Sequence, residues 1–126
     1  MSSKALIMVI DDEGINLKII SELLFKDYEL TLFSSGSEAV EYLAMHPLPN
    51  LILLDVIMDG INGLEVCRML KKDPRTTNIP IIFLTSLDDD YLEEEGFTCG
   101  AVDYVKKPLS PATLKARIKT HLKLES

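Results

Sequence analysis

The chain has 126 residues, of which 47 % are hydrophobic and 26 % charged, and its formal net charge is −7. This length favours a single domain over residues 1–126, and the acidic charge argues against direct binding of nucleic acid. No apolar run reaches the ~20 residues that span a bilayer, and the N-terminus lacks the apolar core of a signal peptide, so we expect a cytoplasmic protein that does not bind the membrane.

Short apolar runs alternate with amphipathic stretches along the chain. Three runs, over residues 5–10, 51–54 and 79–84, are rich in Ile, Val and Leu, which suits strands buried on both faces of a sheet. Residues 28–33 alternate, as an edge or second strand does, and residues 102–105 are a short fifth candidate. Between and after them, apolar residues recur at helical spacing over residues 15–24, 39–43, 64–70, 91–97 and 114–122. Ser37 is a candidate start of the second helix, and Ser110 with Pro111 supplies an N-cap and first residue for the fifth.

This βαβαβαβαβα order predicts an α/β fold with a parallel sheet between two layers of helices. We expect the flavodoxin-like, doubly wound arrangement of five strands in the order 2-1-3-4-5, with five helices, because parallel crossovers are right-handed. Ligands of such sheets bind at the carboxyl ends of the strands, near the point where the strand order reverses. The chemistry is therefore expected at that edge.

Acidic residues follow the first and third predicted strands, which are neighbours in this order. Asp11 and Asp12 end the first strand and Asp55 ends the third. Taken alone, each also suits a solvated turn or a helix cap, but three clustered carboxylates repel one another and favour a hard cation. Mg²⁺ prefers oxygen ligands, so we predict Asp12 and Asp55 as direct ligands, Asp11 partly through water, and the backbone carbonyl of Ile57 as a further ligand.

Thr85 and Lys107 end the fourth and fifth strands. Alone, they suit a capping threonine and a surface lysine. Together with the carboxylates they predict phosphoryl transfer to Asp55, because a hydroxyl can bond a phosphoryl oxygen and a lysine can balance its charge. A carboxylate can act as the nucleophile in such a reaction, which depends mainly on positioning and charge neutralisation.

Four segments together resemble the receiver domains of bacterial response regulators: VIDDE at 9–13, LLDVIMDGINGLEV at 53–66, IIFLTS at 81–86 and GAVDYVKKP at 100–108. The resemblance implies that Asp55 is the phosphoacceptor and that Asp11 and Asp12 bind Mg²⁺. It further implies that Thr85 is a switch hydroxyl and that Lys107 contacts the phosphate. Tyr104 would be an aromatic switch, and the peptide bond before Pro108 would be cis. Asp59 departs from the pattern, since a proline is usual there.

The resemblance also implies partners. Members of this family take the phosphoryl group from a histidine kinase or a histidine phosphotransfer protein, and they catalyse only their own phosphorylation and slow autodephosphorylation. The surface of helix 4, strand 5 and helix 5 then changes to control an output domain or a partner. The acidic residues around helix 4 suit a solvated helix. The alternative is a homodimer through this surface, in which they dock on basic residues of helix 5 of a second copy (Lys115, Arg117 and Lys119). The chain is either a stand-alone receiver or the N-terminal domain of a longer regulator.

Three other functions fit the sequence less well. An aspartate-dependent phosphatase usually carries a second acid two residues after its nucleophile, where this chain has Ile57. A flavin-binding electron carrier would need a phosphate-binding loop where Asp-Asp-Glu stands, and a binding-only pseudo-receiver would not need the complete acidic pocket.

Cys67 and Cys99 suggest buried apolar residues, with a redox sensor as the alternative. His46 and His121 are predicted to lie on the surface.

Overall fold

The computed structural model describes residues 4–58, 60, 62–86, 94–95 and 98–123. The predicted helix over residues 91–97 falls largely outside these ranges. The last helix is therefore α4 here and corresponds to the predicted fifth helix. In chain order the elements are β1 (Leu6–Ile10), α1 (Gly14–Leu24), β2 (Glu29–Phe33), α2 (Gly36–Leu43), β3 (Leu51–Asp55), α3 (Gly63–Lys72), β4 (Ile81–Thr85), β5 (Asp103–Lys106) and α4 (Pro111–Lys123).

The five strands form one parallel sheet in the order β2-β1-β3-β4-β5, which confirms the predicted fold class and topology. The strand order reverses between β1 and β3, where Ile10 lies opposite Leu54. On the other side of β3, Asp55 lies opposite Leu84. The residues that follow β1 and those that end β3 and β4 therefore share one edge of the sheet.

Alternate residues of the central strands belong to two separate cores, one on each face of the sheet. Met8, Ile52 and Phe83 pack with α2 and α3. Val9 and Leu53 pack with α1 and α4. Every residue of β3 and β4 is buried. This explains why these strands are nearly uniform apolar runs, since a parallel sheet between two layers of helices exposes neither face.

The starts of two helices test the predicted boundaries. The prediction of Ser37 as the start of α2 is wrong, because Ser35 is the N-cap and its Oγ accepts the backbone N–H of Glu38 at 3.3 Å. In α4, Pro111 is the first residue and Ser110 Oγ accepts the N–H of Thr113 at 3.3 Å, as predicted. Among the helices within the described ranges, none has the length and apolar character needed to cross a membrane.

Helix α3 begins directly against the end of β3. Asn62 caps the helix, because its Oδ1 accepts the N–H of Glu65 at 3.0 Å, and Gly63 N–H donates to Val56 O at 2.8 Å. A Cβ atom at Gly63 would lie 2.2 Å from Asp55 O and 2.8 Å from Val56 Cα. Only glycine fits this contact without a shift of the backbone that carries Asp55.

We predict that Gly63→Ala lowers the free energy of unfolding by about 1–3 kcal/mol, because the added methyl group overpacks against backbone atoms that cannot rotate away. Gly14→Ala is the matched control, since nothing lies within 4 Å of a Cβ at this first residue of α1. That substitution should leave stability unchanged or raise it slightly. Urea denaturation measures both effects, and equal midpoints for the two variants would contradict the steric argument.

Candidate functional site

Three carboxylates meet at the carboxyl ends of β1 and β3. Asp11, Asp12 and Asp55 each place an oxygen within 4.8 Å of the others. Asp11 and Asp55 are buried and Asp12 is partly exposed. Backbone N–H groups orient the two buried side chains: Glu13 N–H donates to Asp11 Oδ1 at 2.9 Å, and Ile57 N–H donates to Asp55 Oδ1 at 3.2 Å. The residues predicted from two separate strands thus form one cluster.

Lys107 supplies the positive charge that faces this cluster. Its Nζ lies 3.3 Å from Asp11 Oδ2, 3.3 Å from Asp55 Oδ2 and 3.6 Å from Glu13 Oε1. The lysine is positioned by the chain after β5, where its N–H donates to Thr85 O at 2.8 Å. The peptide bond between Lys107 and Pro108 is cis.

The charges and the burial of the site change its protonation equilibria. Burial and the nearby Asp11 charge raise the pKa of Asp55 to about 6, against the opposing effects of Lys107 and the Ile57 N–H. Burial alone would lower the pKa of Lys107, but the Asp55 and Asp11 charges outweigh it and raise that pKa. Each shift reports the same arrangement, in which carboxylates outnumber the ammonium group beside them.

The site is suited to a hard cation. Asp11 Oδ2 is buried and accepts no hydrogen bond, although Lys107 lies at ion-pair distance. Three carboxylates face one ammonium group, so negative charge is in excess, and an unsatisfied buried carboxylate oxygen is costly. Mg²⁺ takes one or two carboxylates as ligands and retains several waters. Asp11, Asp12 and Asp55 offer carboxylate oxygens of the kind that this ion takes as ligands.

Thr85 lies on β4, the strand next to β3, and Tyr104 lies one strand further away, on β5. Thr85 ends β4 one residue beyond Leu84, which is the partner of Asp55, and it is buried. Tyr104 in β5 lies opposite Phe83 and packs against the core on the α2 and α3 side. Because Phe83 and Thr85 are two residues apart in one strand, their side chains face the same side of the sheet. Tyr104 therefore shares a sheet face with Thr85.

Two features were not identified from the sequence. Glu13 was part of the acidic run but had no assigned role, and it lies 3.6 Å from Lys107. His121 was predicted on the surface, and this is wrong: its imidazole lies 2.9 Å from Asp103 Oδ2 and its side chain is only 14 % exposed. Arg117 also binds Asp103, and it donates to the carbonyl of Tyr104 at 3.0 Å. Glu13 was visible in the sequence as part of an acidic run. The pairing of Asp103 with His121 and Arg117 of α4 depends on three-dimensional packing.

Residues 7–119 match the family model of the response regulator receiver domain. The chain belongs to this family. Among curated relatives, it is 42 % identical over 120 residues to a Vibrio cholerae protein named "Probable cyclic di-GMP phosphodiesterase", with 95 % of this chain and 27 % of that protein covered. It is 38 % identical over 117 residues to the response regulator PleD of Caulobacter vibrioides, with 92 % and 26 % covered. The receiver domain thus spans about a quarter of the length of these relatives.

Solved structures of receiver domains have the same fold. The BeF3-activated receiver domain of DrrB, from Thermotoga maritima, matches with a TM-score of 0.84 and 35 % identity, over 96 % of this chain and 99 % of that one. The receiver domain of a signal transduction histidine kinase from Syntrophus aciditrophicus matches with a TM-score of 0.86 and 31 % identity, over 94 % and 90 %. Receiver domains therefore occur both in regulators and within kinases among its relatives.

We predict that Asp11→Asn weakens Mg²⁺ binding by roughly tenfold or more, because a neutral amide is a poorer ligand for a hard cation than a carboxylate. Asp27→Asn is the matched control, since it removes the same charge from an exposed turn after α1. Isothermal titration calorimetry with MgCl₂ measures both affinities. If the two variants bind Mg²⁺ equally well, Asp11 takes no part in the metal site.

Proposed function

We propose that this receiver domain is a phosphorylation-activated signalling switch that accepts a phosphoryl group on Asp55. The observation that supports this most directly is the position of the Asp55 carboxylate, buried at the β1–β3 edge and 3.3 Å from Lys107 Nζ. Its Oδ1 accepts the Ile57 N–H, so the nucleophile is oriented before any phosphodonor arrives. At pH values above about 6 the carboxylate is mainly ionised, as attack on phosphorus requires.

Asp12 and Asp55 would hold Mg²⁺ directly and Asp11 partly through water, and the Ile57 carbonyl remains a predicted further ligand. When bound, the ion neutralises charge on the carboxylates and on the incoming phosphoryl group. Lys107 supplies a second positive charge, and its flexible ammonium group can turn from Asp55 to a phosphoryl oxygen. The Thr85 hydroxyl can donate to another of these oxygens. These roles use only groups at the carboxyl edge of the sheet.

The output would begin at Thr85. Phosphorylation converts the Asp55 carboxylate, which has one negative charge, into an acyl phosphate that carries about −1.5 to −2 in total, and a Thr85 side chain drawn toward it leaves space on the sheet face that Tyr104 shares. Arg117 binds the Tyr104 carbonyl, so a change at Tyr104 reaches α4 directly. Small local shifts of this kind bias a surface between two discrete arrangements. We propose the β5 and α4 side of the domain, with the predicted helix over residues 91–97, as that surface.

The partners proposed from the sequence follow the same logic. A sensor histidine kinase or a histidine phosphotransfer protein would supply the phosphoryl group. Lys115 and Lys119 are exposed on α4 and remain available for a homodimer, whereas Arg117 already binds Asp103 within the chain. Most of the acidic residues of the predicted interface lie outside the described residues. In the longer relatives a receiver domain of this kind is joined to other segments, and an output domain in cis is proposed on that basis.

Incubation with acetyl phosphate and Mg²⁺ should add one phosphoryl group to the wild-type chain. The gain should vanish in Asp55→Asn and in the presence of EDTA, because the first removes the nucleophile and the second the metal. Intact-mass spectrometry measures the product. A phosphoryl group on Asp55→Asn would assign the acceptor elsewhere, and no product on wild type would favour a binding-only domain.

Lys107→Gln should slow this phosphorylation by roughly a hundredfold, as the loss of one charge-stabilising donor commonly does. Lys106→Gln is the matched control. The Lys106 side chain is exposed, and it points away from the side that Lys107 faces, because successive residues of a strand point to opposite sides. Time courses of the phosphorylated mass give both rates. Equal rates for the two variants would remove Lys107 from the proposed mechanism.

A further inference from the structure

The chain has two cysteines, and the fold brings them into contact away from the carboxylate cluster. Cys67 lies in α3 and Cys99 in the turn before β5, 32 residues apart. Cys67 Sγ donates to Cys99 O at 3.4 Å, and the two thiols are close enough to shift each other's pKa values. Both thiols are reduced. The spacing in the sequence gave no indication of this contact.

The two sulfur atoms differ in their surroundings. The Cys67 side chain, the Ala101 N–H and the positive charge of Arg68 together lower the pKa of Cys99, although burial opposes this. The Cys99 side chain, together with burial, raises the pKa of Cys67. A thiolate is therefore favoured at Cys99, and the thiolate is the reactive form of cysteine.

Access to solvent differs in the same direction. Cys67 is fully enclosed, whereas Cys99 is 7 % exposed. The next residue, Gly100, lines a surface cleft of about 350 Å³ together with Lys71 and Val102. A small oxidant would meet Cys99 first and would leave Cys67 as the second, protected thiol. This is the arrangement of a reactive cysteine beside a resolving one.

We propose that Cys67 and Cys99 form a redox modification site, which closes to a reversible intramolecular disulfide when the domain meets hydrogen peroxide. The site uses none of the residues proposed for phosphorylation. The redox proposal therefore does not depend on whether Asp55 accepts a phosphoryl group.

The chemistry balances with peroxide as the oxidant. The Cys99 thiolate attacks one peroxide oxygen, the O–O bond breaks, and the departing hydroxide takes up a proton to become water. The Cys67 sulfur then attacks the sulfur of the Cys99 sulfenic acid, so that an S–S bond forms and the S–O bond breaks. The second hydroxide leaves as water with the Cys67 proton. Two thiols lose two electrons in total, and a dithiol reductant reverses the step by thiol–disulfide exchange.

The disulfide would connect α3 to the chain that leads into β5. The first residue of α3, Gly63, packs against the backbone of Asp55, and β5 carries Tyr104. Oxidation would therefore fix the distance between the element beside the carboxylate cluster and the strand beside Thr85. In an oxidised domain, α3 and β5 are therefore less free to move relative to each other than in a reduced one.

The test is peptide mass mapping of the whole 126-residue chain after treatment with hydrogen peroxide and alkylation of the remaining thiols. We expect a peptide pair linked through Cys67 and Cys99 in the monomer, lost on treatment with dithiothreitol, and equally abundant in Asp55→Asn. In Cys67→Ser, dimedone should trap a sulfenic acid at Cys99. In Cys99→Ser, oxidation at Cys67 should be much slower. Circular dichroism verifies that each sample is folded.

Iodoacetamide labelling of wild-type protein tests the same asymmetry without substitution. Cys99 should react faster than Cys67 in the native chain, and the two should react at similar rates in urea. Absence of the linked peptide from folded, peroxide-treated protein would overturn the proposal. So would linkage only between separate chains, or faster labelling of Cys67 than of Cys99 in the native state.

Discussion

The ion pairs of Lys107 with Asp11 and Asp55 are the interactions on which the rest of the site depends. Burial of two carboxylates side by side is unfavourable, and the 3.3 Å contacts of one ammonium group with both offset only part of that repulsion. Burial, together with the remaining negative charge, raises the pKa of Asp55. That charge also raises the pKa of Lys107 and suits a cation. The proposed metal site, nucleophile and counter-charge thus depend on one electrostatic imbalance.

The sheet topology makes this imbalance possible. A parallel sheet whose order reverses between β1 and β3 places the residues after two non-consecutive strands at one edge. Lys107 follows β5, which is separated from β3 by β4. Its ammonium group therefore reaches the cluster from two strands away. The buried residues of β3 and β4 hold these strands from both faces, and the backbone N–H groups of Glu13 and Ile57 orient the carboxylates at the edge.

Much of this was predictable from the sequence, because each part depended on a local pattern. Apolar runs gave the strands, their alternation with helices gave the strand order, and the order placed Asp11 beside Asp55. The start of α2 was misplaced because two serines, at 35 and 37, are equally good caps and only the packed helix distinguishes them. The contact between Cys67 and Cys99 and the burial of His121 against Asp103 arise from how α3 and α4 pack on the sheet, which periodicity does not specify.

The complete burial of β3 has a consequence for the timescales at which parts of the site can move. A central strand that is paired on both sides and covered on both faces belongs to the class of segments whose amide protons exchange mainly through global unfolding. Asp55 belongs to that strand, whereas Lys107 lies in the chain beyond an edge strand. Partial opening of that edge could withdraw the ammonium group while Asp55 keeps its place. The domain can therefore change the environment of Asp55 many times within the lifetime of one folded molecule.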